Sequence, residues 1–256
     1  MKDILQQLID RLRVYKPLPD YQIERRIDLL FSLFLPAVLN NKFSANDFVI
    51  VCPEFPVKSL ELKDKRLKLG MEINLDDIKQ IADNSSTKID YLCYSKQKDK
   101  ILLVELKTDI SSFNLKQYWY YRYYTEEVNW QSMWDFVKSR CTDEGSRYWK
   151  KYLYLVNYIS KIAPDLSDVA VIESLDMLSK KSLKEAMEST KELKPIKLNY
   201  LYISPNLSGK KKAKELMDRK ELNLMTLSEY AGLMENVSDQ GKQIADLLRS
   251  WDTTPL

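Results

Sequence analysis

The pattern of hydrophobic and polar positions predicts a long helix near the start of the chain. Residues 21–40 follow Asp20, which can act as the N-cap, and they are apolar nearly all round from Leu29 to Leu39. A helix with apolar residues on every face is buried. Pro36 is expected to kink this helix or to begin its end, because proline lacks a backbone N–H and its ring clashes with the preceding turn.

Three β-rich segments follow the helix. They are FVIVCPEFPV at 48–57, TKIDYLCYS at 87–95 and KILLVELKT at 100–108, and a polar turn, KQKDK, separates the last two. The run from Ile101 to Val104 is apolar on both faces, which is typical of a central strand. Beyond it the pattern predicts a helix to about residue 125, a mostly helical stretch at 126–193, a strand at 197–205, a basic helix at 209–221 and a short strand at 222–228.

This order of elements predicts a mixed α/β fold in which a sheet is flanked by helices. With only five glycines, nine prolines and no low-complexity linker, the chain is interpreted as a single domain over 1–256. Its core is expected at about 20–125 and 197–228. A helical insert is expected at about 126–193 and a helical C-terminal tail at about 229–256.

The composition removes several chemistries, because the 256 residues include no histidine. Ser-His-Asp and Cys-His catalysis and histidine-ligated zinc are therefore excluded. Proton transfer must use Asp, Glu, Lys, Tyr, Cys or a metal-activated water. The formal net charge of +3 permits a polyanionic partner without requiring one, so that any such site must be local.

The cysteines and the N-terminus predict a cytoplasmic protein. Cys52, Cys93 and Cys141 are odd in number and widely spaced, which argues against a disulfide framework or a cysteine-ligated metal site. The N-terminal residues carry charges throughout and do not form a signal peptide. No apolar stretch is long enough to span a membrane, so no membrane partner is expected.

The hairpin predicted at 87–108 brings two carboxylates together. If it turns about Gln97–Lys98, residues whose numbers sum to 195 lie opposite each other, which places Asp90 opposite Glu105 on one face of the sheet. Two like charges so placed repel each other and call for compensation by a cation. A divalent cation supplies it, and Lys107 lies on the same face.

Asp90, followed by Glu105-Leu106-Lys107 at the end of an apolar strand, resembles the PD-(D/E)XK nuclease superfamily. Gln117 and Tyr121 in the next helix match the QxxxY motif of its RecB-like and lambda-exonuclease-like branch, although Ile89 stands where the motif has proline. Glu24 in the first helix is similar to the helical glutamate that completes such sites. Asp28, one turn later on the same face, is the alternative.

This resemblance implies a restriction-endonuclease-like fold and a metal-dependent nuclease acting on DNA. Asp90, Glu105 and the backbone carbonyl of Leu106 would bind Mg²⁺ or Mn²⁺, with Glu24 binding directly, through water or at a second metal. Lys107 would position or deprotonate the attacking water, or stabilise the transition state. Gln117 and Tyr121 would orient the site and contact the phosphate backbone. The alternative is a nuclease-fold protein whose site is disused and which binds nucleic acid or a protein partner.

Two further groups of residues each allow two interpretations. The basic stretch at 209–221, which includes Lys210 and Lys211, predicts either a phosphate-binding surface or a solvated helix face. A set of aromatic residues at helical spacing predicts either base stacking or, more often, core packing. Its members are Trp119, Tyr123, Trp130, Trp134, Trp149, Tyr152 and Tyr158.

Overall fold

A computed structural model describes residues 23–57, 87–109, 118, 121–122, 124–126, 128–143, 148–175, 180–188, 191–207 and 223–253. Within them the helices are α1 (Ile23–Phe43), α2 (Trp130–Thr142), α3 (Trp149–Ile162), α4 (Lys180–Ala186), α5 (Leu227–Glu235) and α6 (Asp239–Thr253), with a short 3₁₀ turn at Pro164–Leu166. The strands are β1 (Val49–Val57), β2 (Thr87–Ser95), β3 (Lys100–Leu106), β4 (Lys197–Ser204) and β5 (Leu224–Thr226).

The five strands form one mixed sheet in the order β1-β2-β3-β4-β5, which confirms the predicted mixed α/β class. β1, β2 and β3 are antiparallel neighbours, whereas β3, β4 and β5 run parallel. The predicted hairpin register is also confirmed, because Tyr94 lies opposite Ile101 and Leu92 lies opposite Leu103. β3 is therefore a central strand, as its apolar run predicted.

Helices cover both faces of the sheet. One face packs on α2 and α3, and their buried side chains, such as Trp134 and Val156, join Leu103 of β3 in one hydrophobic core. The other face packs on α1, α5 and α6 around Leu102 of β3. The helical insert and the C-terminal tail thus contribute to the two cores, since each covers a sheet face that would otherwise be exposed to water.

The first helix corrects the expected burial and answers one part of the prediction for Pro36. It continues past Pro36 to Phe43, so that the proline does not end it, and the kink stays a prediction. It is also not buried all round, because Leu29 is 76% exposed and Leu33 is 72% exposed. These residues are four apart and share one helical face, while the sheet covers the face that carries Leu35. Apolar residues on every face therefore did not predict burial on every face here.

Leu33 and Leu35 provide a matched test of the packing of α1. Leu35 is fully buried, so Leu35→Ala is expected to lower the free energy of unfolding by about 2–5 kcal/mol through lost transfer energy and a cavity. Leu33→Ala should change it by no more than about 0.5 kcal/mol, because the side chain faces solvent. Urea unfolding measures both, and equal losses would contradict the orientation of the helix.

Two further expectations concern the cysteines and the membrane. All three cysteines are free and buried, and burial raises the pKa of Cys52 and of Cys141 to about 12. Thiols with such pKa values are poor nucleophiles near neutral pH. Among the helices that the structure describes, none is long and apolar enough to cross a membrane.

Candidate functional site

The candidate site begins where β2 and β3 stop pairing. Their ladder ends at the pair Tyr91–Val104, one step before Asp90 and Glu105. Regular alternation fails at the same place, because Ile89 packs into the core under α3 whereas Tyr91 packs into the core under α1. In a regular strand these two side chains would share a face. β2 is therefore distorted at Asp90.

Asp90 occupies the gap that this distortion opens. Its Oδ2 accepts a hydrogen bond of 2.8 Å from the backbone N–H of Leu106. The next amide along, that of Lys107, donates instead to the carbonyl of Ile203 on β4, at 2.7 Å. Successive N–H groups of a strand point to opposite sides, so the Leu106 amide faces β2, where the Asp90 carboxylate replaces a backbone partner. The carbonyl of Leu106 faces the same gap.

Glu105 lies next to this gap and is held by two side chains. It is 1% exposed, and its Oε1 lies 2.6 Å from Nζ of Lys107. Its Oε2 accepts a hydrogen bond from the hydroxyl of Tyr121. Lys107 is itself buried, so this ion pair is shielded from solvent and from screening by salt. The structure thus brings together four of the predicted site residues: Asp90, Glu105, Lys107 and Tyr121.

The electrostatics of the site centre on two neighbouring acids and one cation. Burial raises the pKa of Asp90 to about 7, and repulsion by Glu105 adds to the rise, while Lys107 and the Leu106 amide oppose it. Burial also raises the pKa of Tyr121 well above its usual value, and the negative charge of Glu105 acts in the same direction. One lysine does not neutralise the buried carboxylate of Glu105 together with the half-buried carboxylate of Asp90, so the site favours a further positive charge.

The sequence offered Glu24 or Asp28 as the helical acid, and of these two the structure describes the side chain of Asp28. Asp28 lies close enough to Asp90 to contribute to the rise in the pKa of Asp90. Its own pKa is raised by burial and then by Glu54. The hydroxyl of Tyr91 donates to the backbone carbonyl of Asp28, at 2.9 Å, which ties α1 to β2 beside the gap. The side chain of Glu24 lies outside the described residues.

The other predicted residues divide into those outside the described residues and those in the core. Gln117, Lys210 and Lys211 lie outside the described residues, as do Trp119 and Tyr123. Trp130 and Trp134 are fully buried, so core packing is the correct interpretation for them. Of the other described members of that set, Trp149 and Tyr152 are partly buried against the same core, whereas Tyr158 is 49% exposed.

Tyr202 is a neighbour of the site that the sequence did not single out. It lies opposite Glu105 in the parallel pairing of β3 with β4. Its ring meets that of Tyr121 edge to face, with the ring centroids 6.3 Å apart. It therefore helps to fix the ring whose hydroxyl bonds Glu105. The pairing of β4 with β3 identifies this tyrosine, and no local sequence pattern does.

The site offers oxygen ligands to a metal ion. The carboxylates of Asp90 and Glu105 and the carbonyl of Leu106 are ligands of the kind that Mg²⁺ prefers. Among the residues that the structure describes, no group of three or more Cys, Asp or Glu side chains is arranged to hold a metal ion. Asp90 and Glu105 are thus two acidic ligands of the right kind, and they do not belong to any larger ligand group among these described residues.

The raised pKa of Asp90 predicts an unusual pH dependence of stability. The folded protein keeps the proton of Asp90 up to about pH 7, whereas the unfolded chain loses it near the ordinary value of 3.8. Without divalent cations, this group should therefore make the folded state less stable as pH rises from about 4 to about 7. Asp90→Asn should remove that contribution.

Urea unfolding of both proteins in EDTA, at about pH 5 and about pH 8, measures this difference. Because other groups also titrate, the informative quantity is the change in stability of the wild type minus that of the variant. An identical change in both proteins would contradict the raised pKa of Asp90.

No protein-family model, no curated protein and no solved structure matches this chain.

Proposed function

We propose that the protein is a metal-dependent nuclease that hydrolyses phosphodiester bonds in DNA, with a fold of the restriction-endonuclease-like type. The observation that carries this proposal is the arrangement of Asp90, Glu105 and Lys107. Two carboxylates and a buried ammonium group meet where the ladder of two central strands opens. Sites of this chemistry suit reactions in which negative charge develops on a phosphate.

The order of the elements supports the proposed fold. A helix, three antiparallel strands, helical residues around Tyr121 and a parallel returning strand follow one another as the resemblance implies. In this order the end of β3 lies between β2 and β4. The hydroxyl of Tyr121 reaches Glu105 from the covering helical residues, which is the role expected of the tyrosine in the QxxxY motif.

Asp90, Glu105 and the carbonyl of Leu106 would hold Mg²⁺ or Mn²⁺. When bound, such an ion lowers the pKa of a coordinated water and neutralises charge on the phosphate. The amide of Leu106 holds the Asp90 carboxylate in place, and the hydroxyl of Tyr121 does the same for Glu105. Glu24 or Asp28 would add a further acid from α1.

Lys107 would act either on the attacking water or on the transition state. Its ammonium group lies 2.6 Å from Glu105 Oε1 and is positioned by the backbone bond of its own amide to β4. From there it would orient the attacking water or accept a proton from it, or it would stabilise the negative charge of the transition state. Both roles require the nitrogen atom at the end of this side chain.

A second candidate function is a nuclease-fold protein that binds nucleic acid or a protein partner without cutting. The observation that favours it is the engagement of Glu105, since Lys107 and Tyr121 already hold its two oxygens. Binding of a metal ion would have to displace or share these contacts.

Incubation with linear, circular and single-stranded DNA in Mg²⁺, Mn²⁺ or EDTA tests the proposal. We expect cleavage that depends on the metal ion and that Asp90→Ala and Lys107→Ala each abolish. The variants, purified in the same way, also control for a contaminating nuclease. Salt-sensitive binding of DNA without cleavage would instead support the second candidate function. Cleavage that survives both substitutions would exclude this site.

A further inference from the structure

The exposed face of α3 combines aromatic rings with positive charge. Lys151, Tyr154, Tyr158 and Lys161 are all exposed, and the two tyrosines are each 49% exposed. Their spacing of three, four and three residues places them on one side of the helix. The opposite side, which carries Leu153, Val156 and Ile159, is buried in the core beneath it. The four exposed residues are called the α3 face below.

The charge of this helix has one sign. Its fourteen residues, WKKYLYLVNYISKI, include three lysines and no acid. The lysines of α3 therefore produce a local positive field that the net charge of +3 does not reveal. Asn157 holds Ile172 against the helix with two hydrogen bonds, and the exposed Glu173 that follows is a nearby negative charge.

The two tyrosines are placed for contact with flat, apolar groups. They lie one helical turn apart, which is about 6 Å along the axis. Single exposed aromatic residues are common and need no explanation. Here two of them lie on one helical face between two lysines, so that the face offers stacking surfaces and positive charge together. Successive rings beside cations suit a chain of stackable bases linked by phosphates, because bases stack on aromatic rings and lysines pair with the phosphates.

We propose that the α3 face binds an unpaired nucleic-acid strand, with bases stacked on Tyr154 and Tyr158 and phosphates paired with Lys151 and Lys161. The choice of a nucleic acid over other polyanions rests on the proposed function. α3 packs on the same side of the sheet as Tyr121, whose hydroxyl bonds Glu105. A nucleic-acid strand bound to α3 would therefore lie on the side of the sheet that carries the Glu105 carboxylate. The α3 face therefore serves as a guide for single-stranded substrate.

Fluorescence anisotropy in EDTA tests this inference without requiring cleavage. The probes are labelled mixed-sequence single strands of DNA and RNA of about 20 nucleotides, which exceeds a typical single-strand site, and the corresponding DNA duplex. The full-length wild-type protein should bind a single strand more tightly than the duplex. Tyr154→Leu and Tyr158→Leu should each weaken single-strand binding roughly ten-fold, whereas Tyr154→Phe and Tyr158→Phe should retain it, because phenylalanine keeps the stacking ring.

Substitution of the two lysines should change the salt dependence of binding. Lys151→Gln combined with Lys161→Gln should reduce the slope of log K against log salt by about 1.4, since each phosphate contact with a single strand contributes about 0.7. Lys242→Gln, an exposed lysine on α6, is the control and should leave the slope unchanged. The DNA and RNA arms determine which single strand the face prefers.

Three results would overturn the inference. They are equal affinity for duplex and single strand, tyrosine-to-leucine variants that bind as the wild type does, and a concentration-dependent dimer that Tyr154→Leu and Tyr158→Leu abolish while DNA binding persists. Failure of the nuclease proposal has a different signature, because single-strand binding would then persist without cleavage in any metal ion. Metal-dependent cleavage together with tyrosine-insensitive binding would exclude only the role of the α3 face.

Discussion

Lys107→Met is expected to lower the rate of Mg²⁺-dependent DNA cleavage by about 10²–10⁴-fold, the usual contribution of a positioned proton-transfer group. Methionine retains most of the volume of the lysine stem but removes the charge and the proton-binding nitrogen. Lys107 is buried against Glu105, so solvent cannot take over its role. Single-turnover cleavage of a linear duplex measures the loss directly.

Lys194→Met is the matched control for this prediction. Its ammonium group also lies 2.6 Å from a carboxylate, that of Asp99, but the pair is exposed near the turn of the hairpin. It should cleave at the wild-type rate. Lys107→Arg keeps the charge but hardly ever loses its proton, so cleavage by this variant would exclude proton transfer by Lys107. A folded Lys107→Met protein that retains more than about a third of the wild-type rate would contradict the predicted role of Lys107.

Asp168→Ala is expected to lower the free energy of unfolding by about 3–5 kcal/mol, the usual cost of breaking a buried ion pair. Asp168 is 2% exposed and accepts two hydrogen bonds of 2.6 Å, from Nε1 of Trp134 and from Nζ of Lys138. Its removal leaves a buried N–H and a mostly buried ammonium group without this partner. For a chain of this size, we expect the melting temperature to fall by about 10 °C.

Asp135→Ala is the control on the same lysine. Asp135 lies 3.2 Å from Nζ of Lys138 but is exposed, so its loss should cost no more than about 1 kcal/mol. Because Asp168 lies in the helical layer and not at the strand gap, the folded fraction of Asp168→Ala should still cleave DNA. Unfolding free energies of the two variants that agree within error would contradict the structural role of Asp168.

The sequence predicted the β2–β3 hairpin and its residue pairs because both depend on local rules. Strand alternation and turn length fix the register, so Leu92 and Leu103 were placed opposite each other correctly. The same rule extended to Asp90 missed the distortion, since regular alternation does not foresee where a ladder opens. The bond from the Leu106 amide to Asp90 appears only in three dimensions.

Burial was harder to predict than periodicity. The apolar residues of α1 gave no indication that Leu29 and Leu33 face outward, because the orientation of a helix on a sheet depends on distant partners such as α5 and α6. Likewise, the aromatic residues of 126–193 could not be divided into core and surface from spacing alone. The fold places Trp134 inside and Tyr158 outside.

The rate of Mg²⁺-dependent cleavage by Asp90→Asn tests the proposed nuclease site most directly. Asparagine keeps an oxygen that can accept the bond from the Leu106 amide, so the substitution removes the charge with little change in shape. It also removes a half-buried acid whose charge is disfavoured, since its pKa is raised to about 7, so the metal-free variant should be at least as stable as the wild type at about pH 8. The nuclease proposal predicts a fall in cleavage of at least about 100-fold in this stable protein. Cleavage within about threefold of the wild-type rate would contradict it.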